Sequence, residues 1–199
     1  MINRPNPELW ARRSDRQIFI TAPSDRSPTN GPALSVTALI PDLHHYSGRG
    51  GRVFPLWRDA EAREANIPPK LLPFLTQRLG ELIAPEEFIA YIVAVAVHPA
   101  FTASYQKDLS TPGLRIAITA DRDTFKAVAP IGERIIWLHT FGERLVDPPG
   151  IVQRSLPDCR ARECRAFLPL AQFRRTPMIF LTTSAMTPPS DDSASARAS

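Results

Sequence analysis

Pro85-Glu86-Glu87-Phe88-Ile89-Ala90-Tyr91-Ile92-Val93-Ala94-Val95-Ala96-Val97 is the stretch that decides the fold. A proline in the first helical turn has no N–H to lose, and two carboxylates beside it sit at the positive end of the helix dipole. The apolar run from Phe88 to Val97 is bounded by Glu86 and Glu87 on one side and Pro99 on the other. It is shorter than the ~18 residues that span a bilayer, so it reads as a helix buried inside a globular domain. A helix apolar all round needs neighbours on every side, and the rest of the chain must supply them.

Upstream, the period is that of strands. Gln17-Ile18-Phe19-Ile20-Thr21 is one; Leu34, Val36, Ala38 and Ile40 form the apolar side of a second; Val53-Phe54-Pro55-Leu56 is a third. Pro55 lacks a ladder donor and places that third strand at an edge. Between them lie turn-rich stretches, 23–32 and Ser47-Gly48-Arg49-Gly50-Gly51-Arg52. From Asp59 the period turns helical: Leu71, Leu72, Leu75 and Leu79 share a face of a helix starting near Pro68 or Pro69 and stopped by Gly80. Downstream, Phe101, Tyr105 and Leu109 mark a short helix, and Leu114, Ile116 and Ile118 alternate as a strand that returns to the sheet. Asp121 or Asp123 then caps a helix carrying Phe125, Val128, Ile135 and Leu138. Pro130 lies inside it and is expected to split it in two.

The fold class that follows is α+β: a small mixed sheet packed against several short helices. With 21 prolines among 199 residues, long helices are not expected. Residues 1–147 make one domain, and residues 148–199, arginine-rich and then Ser/Ala-rich, read as a mostly disordered tail.

The formal charge is +4, but its distribution matters more. Residues 1–150 hold 17 Lys and Arg against 16 Asp and Glu, and residues 151–199 hold 7 against 4. A body of +1 is not that of a non-specific phosphate binder, so nucleic-acid contact must rest on local loops. The N-terminus, Met1 to Trp10, lacks the apolar segment of a secretory signal, and no run is long enough for a membrane helix. The cytoplasm is the expected location, which suits a chain with two cysteines. Cys159 and Cys164 are half of a four-ligand zinc site at most, and no metal is expected. Neither a Gly-x-x-x-x-Gly-Lys-Ser/Thr phosphate cradle nor a Gly-x-Gly-x-x-Gly turn occurs, so no nucleotide cofactor is expected.

Several segments, in order along the chain, resemble the C-terminal specificity domain of Type ISP single-chain restriction-modification enzymes. They are Asn6-Pro7-Glu8-Leu9-Trp10 with Ser14-Asp15-Arg16-Gln17, Leu39 to Tyr46, Gly51 to Trp57, Phe88 to Ile92, Thr111 to Ile116 and Ile136 to Arg144. The resemblance covers roughly residues 3–147. It implies recognition of a specific sequence in double-stranded DNA on behalf of nuclease, ATPase and adenine methyltransferase parts held elsewhere. The Asn-Pro-Pro-Tyr tetrapeptide of the methyltransferase is absent, so the chain reads as a non-catalytic fragment of such an enzyme. Its partners would be DNA and separately encoded methyltransferase and ATPase domains.

In that role Arg49, Arg52 and Arg58 supply phosphate or base-edge contacts, with His44 and His45 beside them. The bland reading of the glycine-rich loop is a solvated connection, and that of the histidine pair is packing near a strand end. Trp57 and Trp137 lie in apolar stretches and read as core rather than as base-stacking platforms. A second reading makes the chain an interaction module that docks on a methyltransferase domain without binding DNA alone. Its signature is an exposed apolar patch on the helices in place of a basic groove. A hydrolase built on His44, His45 or His139 lacks a paired nucleophile and ranks last.

Overall fold

The computed structural model describes residues 6–23, 31–42, 51–110, 115–145 and 178–182. Helix α1 (Pro7–Ala11) is capped by Asn6, whose side-chain oxygen accepts from the N–H groups of Glu8 and Leu9. Strands β1 (Phe19–Pro23), β2 (Ser35–Thr37) and β3 (Gly51–Pro55) form a three-stranded antiparallel sheet in the order β2-β1-β3. Ile20 pairs with Val36 on one side and Phe54 on the other. β3 is an edge, as Pro55 requires.

The strand alternation sorts side chains onto two faces. Ile20, Ala22, Val36 and Phe54 enter the main core, while Phe19 and Val53 face the other way and pack with Leu9 of α1 and with Ile40. Helix α2 (Leu71–Leu79) buries Leu71, Leu75 and Leu79 and ends at Gly80, whose φ of 70° is the left-handed cap that glycine reaches without strain. Helix α3 (Pro85–Val97) is buried continuously from Phe88 to Ala96.

Helix α4 (Pro99–Ser104) and a 3-10 turn (Asp108–Ser110) replace the short helix expected around Phe101, Tyr105 and Leu109; Phe101 and Leu109 are buried. Strand β4 (Arg115–Thr119) packs on α3. There the Tyr91 hydroxyl accepts from the Thr119 N–H at 2.9 Å and donates to the Ala117 carbonyl at 3.4 Å. Burial pushes the Tyr91 hydroxyl well above the ordinary tyrosine range. Helix α5 (Arg122–His139), N-capped by Asp121, lies along α3, with the rings of Phe125 and Tyr91 stacked at 4.8 Å.

Three further sequence expectations change. The sheet is not mixed: every strand pairing among the described residues is antiparallel. β4 does not return to the three-stranded sheet but pairs with β5 (Met178–Thr182), Ala117 opposite Phe180. β5 thus lies in the stretch that composition alone assigns to a tail. Helix α5 runs through Pro130 without breaking. Burial on both sides of the proline explains this, with Phe125, Val128 and Ala129 before it and Gly132 and Ile136 after it. Gly132 sets the approach of the two helices: a Cβ placed on it would lie 1.7 Å from the carbonyl oxygen of Ala90.

Candidate nucleic-acid interface

Arg52 and Arg58, two of the arginines singled out in the sequence, are both exposed. Arg52 sits in β3 opposite Ala22. The chain stays extended beyond the strand, since the Leu56 N–H donates to the Ile18 carbonyl at 2.9 Å and the Trp57 N–H to the side-chain oxygen of Gln17 at 2.9 Å. Arg58 follows immediately. At ~3.3 Å per residue the two arginines stand roughly 20 Å apart along the edge, at its opposite ends. The structure therefore does not gather them at one point. Arg49, His44 and His45 lie outside the described residues.

The two arginines are held differently. Arg52 makes no ion pair within the described residues. Arg58 donates from Nη1 to Glu64 Oε1 at 2.9 Å and from Nε to Asn66 Oδ1 at 3.4 Å. The loop that brings those partners back is closed on itself. Arg58 N–H donates to the Glu64 carbonyl at 2.8 Å, Asn66 N–H to the Leu56 carbonyl at 2.7 Å, and Trp57 bridges to Ala65. Asp59 accepts from the N–H groups of Arg63 and Glu64, and those two hydrogen bonds hold its carboxyl below the usual carboxylate range. Asn66 is 2% exposed, and its amide nitrogen donates to the Pro55 carbonyl at 3.1 Å.

Beneath this edge lies a knot of buried polar groups. Gln17 is fully buried; its amide nitrogen donates to the carbonyls of Arg12 at 2.8 Å and Trp57 at 2.9 Å, while its oxygen takes the Trp57 N–H. The amide thus extends the ladder by one step as if it were another peptide group. Arg144 reaches the same place from beyond α5, donating to the Gln17 carbonyl at 2.8 Å and the Ser14 carbonyl at 3.1 Å. Trp57 is buried, as its apolar context predicts, and its indole N–H donates to the Arg16 carbonyl at 3.2 Å. Arg16 lies 5.1 Å above the Trp57 ring and pairs with Glu86 of α3 at 2.7 Å.

Gln17, Glu64, Asn66 and Arg144 were not among the site residues read from sequence. Gln17 and Arg144 fall within segments that carry the family resemblance, and that is the signal that could have found them. Nothing local marks Asn66, whose importance comes from the loop that returns it to Arg58. Among the described residues no group of three His, Cys, Asp or Glu side chains is placed to hold a metal ion, and no helix is long and apolar enough to cross a membrane. At the end of α5, Leu138 in its last turn and Phe141 just past it are exposed, Phe141 by 88% with a φ of 55°.

The family model for the Type ISP C-terminal specificity domain matches residues 1–174. No curated protein sequence matches the chain. Among solved structures, the cryo-EM structure of a DrdV–DNA complex is similar with a TM-score of 0.48 at 19% identity, over 63% of this chain and 12% of that one.

Proposed function

The chain belongs to the Type ISP C-terminal specificity domain family, and from that membership we propose that it recognises a DNA sequence for a restriction-modification system. The observation that carries this reading is the family match over residues 1–174. In this role the stretch of chain from Arg52 to Arg58, whose residues 53–57 are buried, meets the duplex through the exposed arginines at its two ends. Its span of roughly 20 Å corresponds to about six base pairs at ~3.4 Å each. His44, His45 and Arg49 belong to the same proposed contact surface by their position just ahead of Arg52. The chain supplies recognition, and cleavage and methylation are carried out by domains outside it.

The test is fluorescence anisotropy of the intact chain with random-sequence duplex DNA over a salt series. Binding that weakens with salt and falls on Arg52→Ala or Arg58→Ala supports recognition along this edge. Binding that neither substitution changes rejects the edge, and absence of binding at low salt rejects the reading for the isolated chain.

One observation favours the second reading, a module that docks on another domain. Phe141 and Leu138 expose apolar surface close together in the chain at the end of α5. If that is the main role, Phe141→Ser lowers association with a methyltransferase domain supplied separately and leaves anisotropy with DNA as it was.

A further inference from the structure

We infer that Arg58 reads a base edge and that Glu64 and Asn66 are the positioning residues that aim it; this rests on the DNA-recognition reading above. An exposed arginine that only meets phosphate needs no fixed direction, because phosphate oxygens accept from many angles and carry no sequence information. A base edge is different. Two acceptors of one guanine, O6 and N7, must be met at once by two N–H groups of a planar guanidinium.

Arg58 has the required fixation. Its Nε and Nη1 are engaged by Asn66 and Glu64. Of the five guanidinium N–H groups three remain, two of them on Nη2, and a guanine edge needs two. Asn66 itself is immobilised by burial and by its bonds to the backbone of Pro55 and Leu56. Glu64 is tied through its carbonyl to the Arg58 N–H and through its own N–H to Asp59. The Glu64 side chain is 66% exposed, and an ion pair in that setting adds little to stability, so its effect lies in orientation.

The carboxylate has a second consequence. Glu64 beside Arg58 repels phosphate, and general affinity for DNA is lower than an unpaired arginine would give. Discrimination between sequences rises at the expense of unspecific binding. Arg52, without an ion pair within the described residues, has the opposite character and serves as a phosphate contact that acts on all sequences alike.

The experiment passes a duplex pool with a randomised central segment over the full-length chain, and over Arg58→Lys, Glu64→Ala and Arg52→Ala, sequencing the retained DNA. Circular dichroism confirms that each variant is folded. The expected result is an enriched sequence for the unsubstituted chain, with Arg58→Lys and Glu64→Ala weakening preference at one shared position by roughly tenfold. Glu64→Ala, which removes both the acceptor and the charge, also increases retention of the unselected pool, whereas Arg52→Ala decreases retention without altering any positional preference. If Arg58→Lys weakens a position that Glu64→Ala leaves intact, Arg58 reads without a brace and the inference fails. If Arg58→Lys alters no position, Arg58 does not read bases and the inference fails. If the unsubstituted chain enriches no sequence, the recognition reading itself falls, and the inference with it.

Discussion

Arg144 Nε donates to the carbonyl oxygen of Gln17 at 2.8 Å, joining residues 127 apart in the chain and bringing a mostly buried guanidinium onto the backbone. The same side chain takes the Ser14 carbonyl and the Glu143 carbonyl. Removing it takes the guanidinium donor from the buried Gln17 carbonyl, a larger loss than that of the bond alone, while the Ser14 carbonyl keeps the Gln17 N–H. Arg144→Ala is expected to destabilise the domain by about 2–4 kcal/mol in urea denaturation, and Arg144→Lys by about half as much, since one ammonium cannot reproduce the planar fork. A loss below ~0.5 kcal/mol for Arg144→Ala would contradict this role.

Gly132 faces the Ala90 carbonyl with no room for another carbon. Gly132→Ala forces α3 and α5 apart, and a loss of about 2–4 kcal/mol or failure to fold is the expected outcome. Because the obstruction is backbone, Ala90→Gly in the same chain does not restore stability. Rescue by that double substitution, measured by thermal unfolding, would place the obstruction in the side chain instead.

Pro130 interrupts the hydrogen-bond ladder inside α5 at an exposed position. Pro130→Ala restores one donor and relieves the clash with the preceding turn, and it is expected to stabilise the domain by about 1–3 kcal/mol. An unchanged or lowered melting temperature would show that the helix has adapted to the proline.

Much of this architecture is legible in the sequence, and the exceptions share a cause. Phe88 to Val97 and the Leu71, Leu75, Leu79 face announce helices because their neighbours in sequence are their neighbours in space. The same holds for the alternating residues of β1 and β3. Pro130 misleads because local propensity forecasts a break, whereas the contacts of Gly132 and Ile136 with distant elements hold both halves in line. β5 is invisible to composition because its partner is β4, a stretch far upstream, and long-range pairing leaves no local pattern. Of the site, arginines can be picked out by type, but which one is fixed by a buried asparagine depends on a loop closing.

Glu133 is partly buried, and its carboxyl is raised above the usual range, first by burial and then by the negative charge of Glu87, with Lys126 opposing. A raised carboxyl binds its proton more tightly in the folded chain, so ionisation weakens the fold as pH climbs through the folded-state value. Glu133→Gln is expected to raise the melting temperature at pH 7 by on the order of 1–2 °C, with the gain vanishing below the unfolded value of 4.5. Melting curves at pH 4 and pH 7 check it; a gain equal at both pH values would rule out ionisation as the cause.

Residues 14–17 are tied to both helices of the pair: Arg16 to Glu86 in the first turn of α3, and the backbone of Ser14 and Gln17 to Arg144 just past α5. This short segment works as the keystone of the domain, although it stands near the start of the chain. A version begun after Gln17 would free the guanidinium of Arg144 and the ladder end at Trp57 together, and with them the base on which Arg58 stands. Shortening from the front must therefore stop ahead of Ser14.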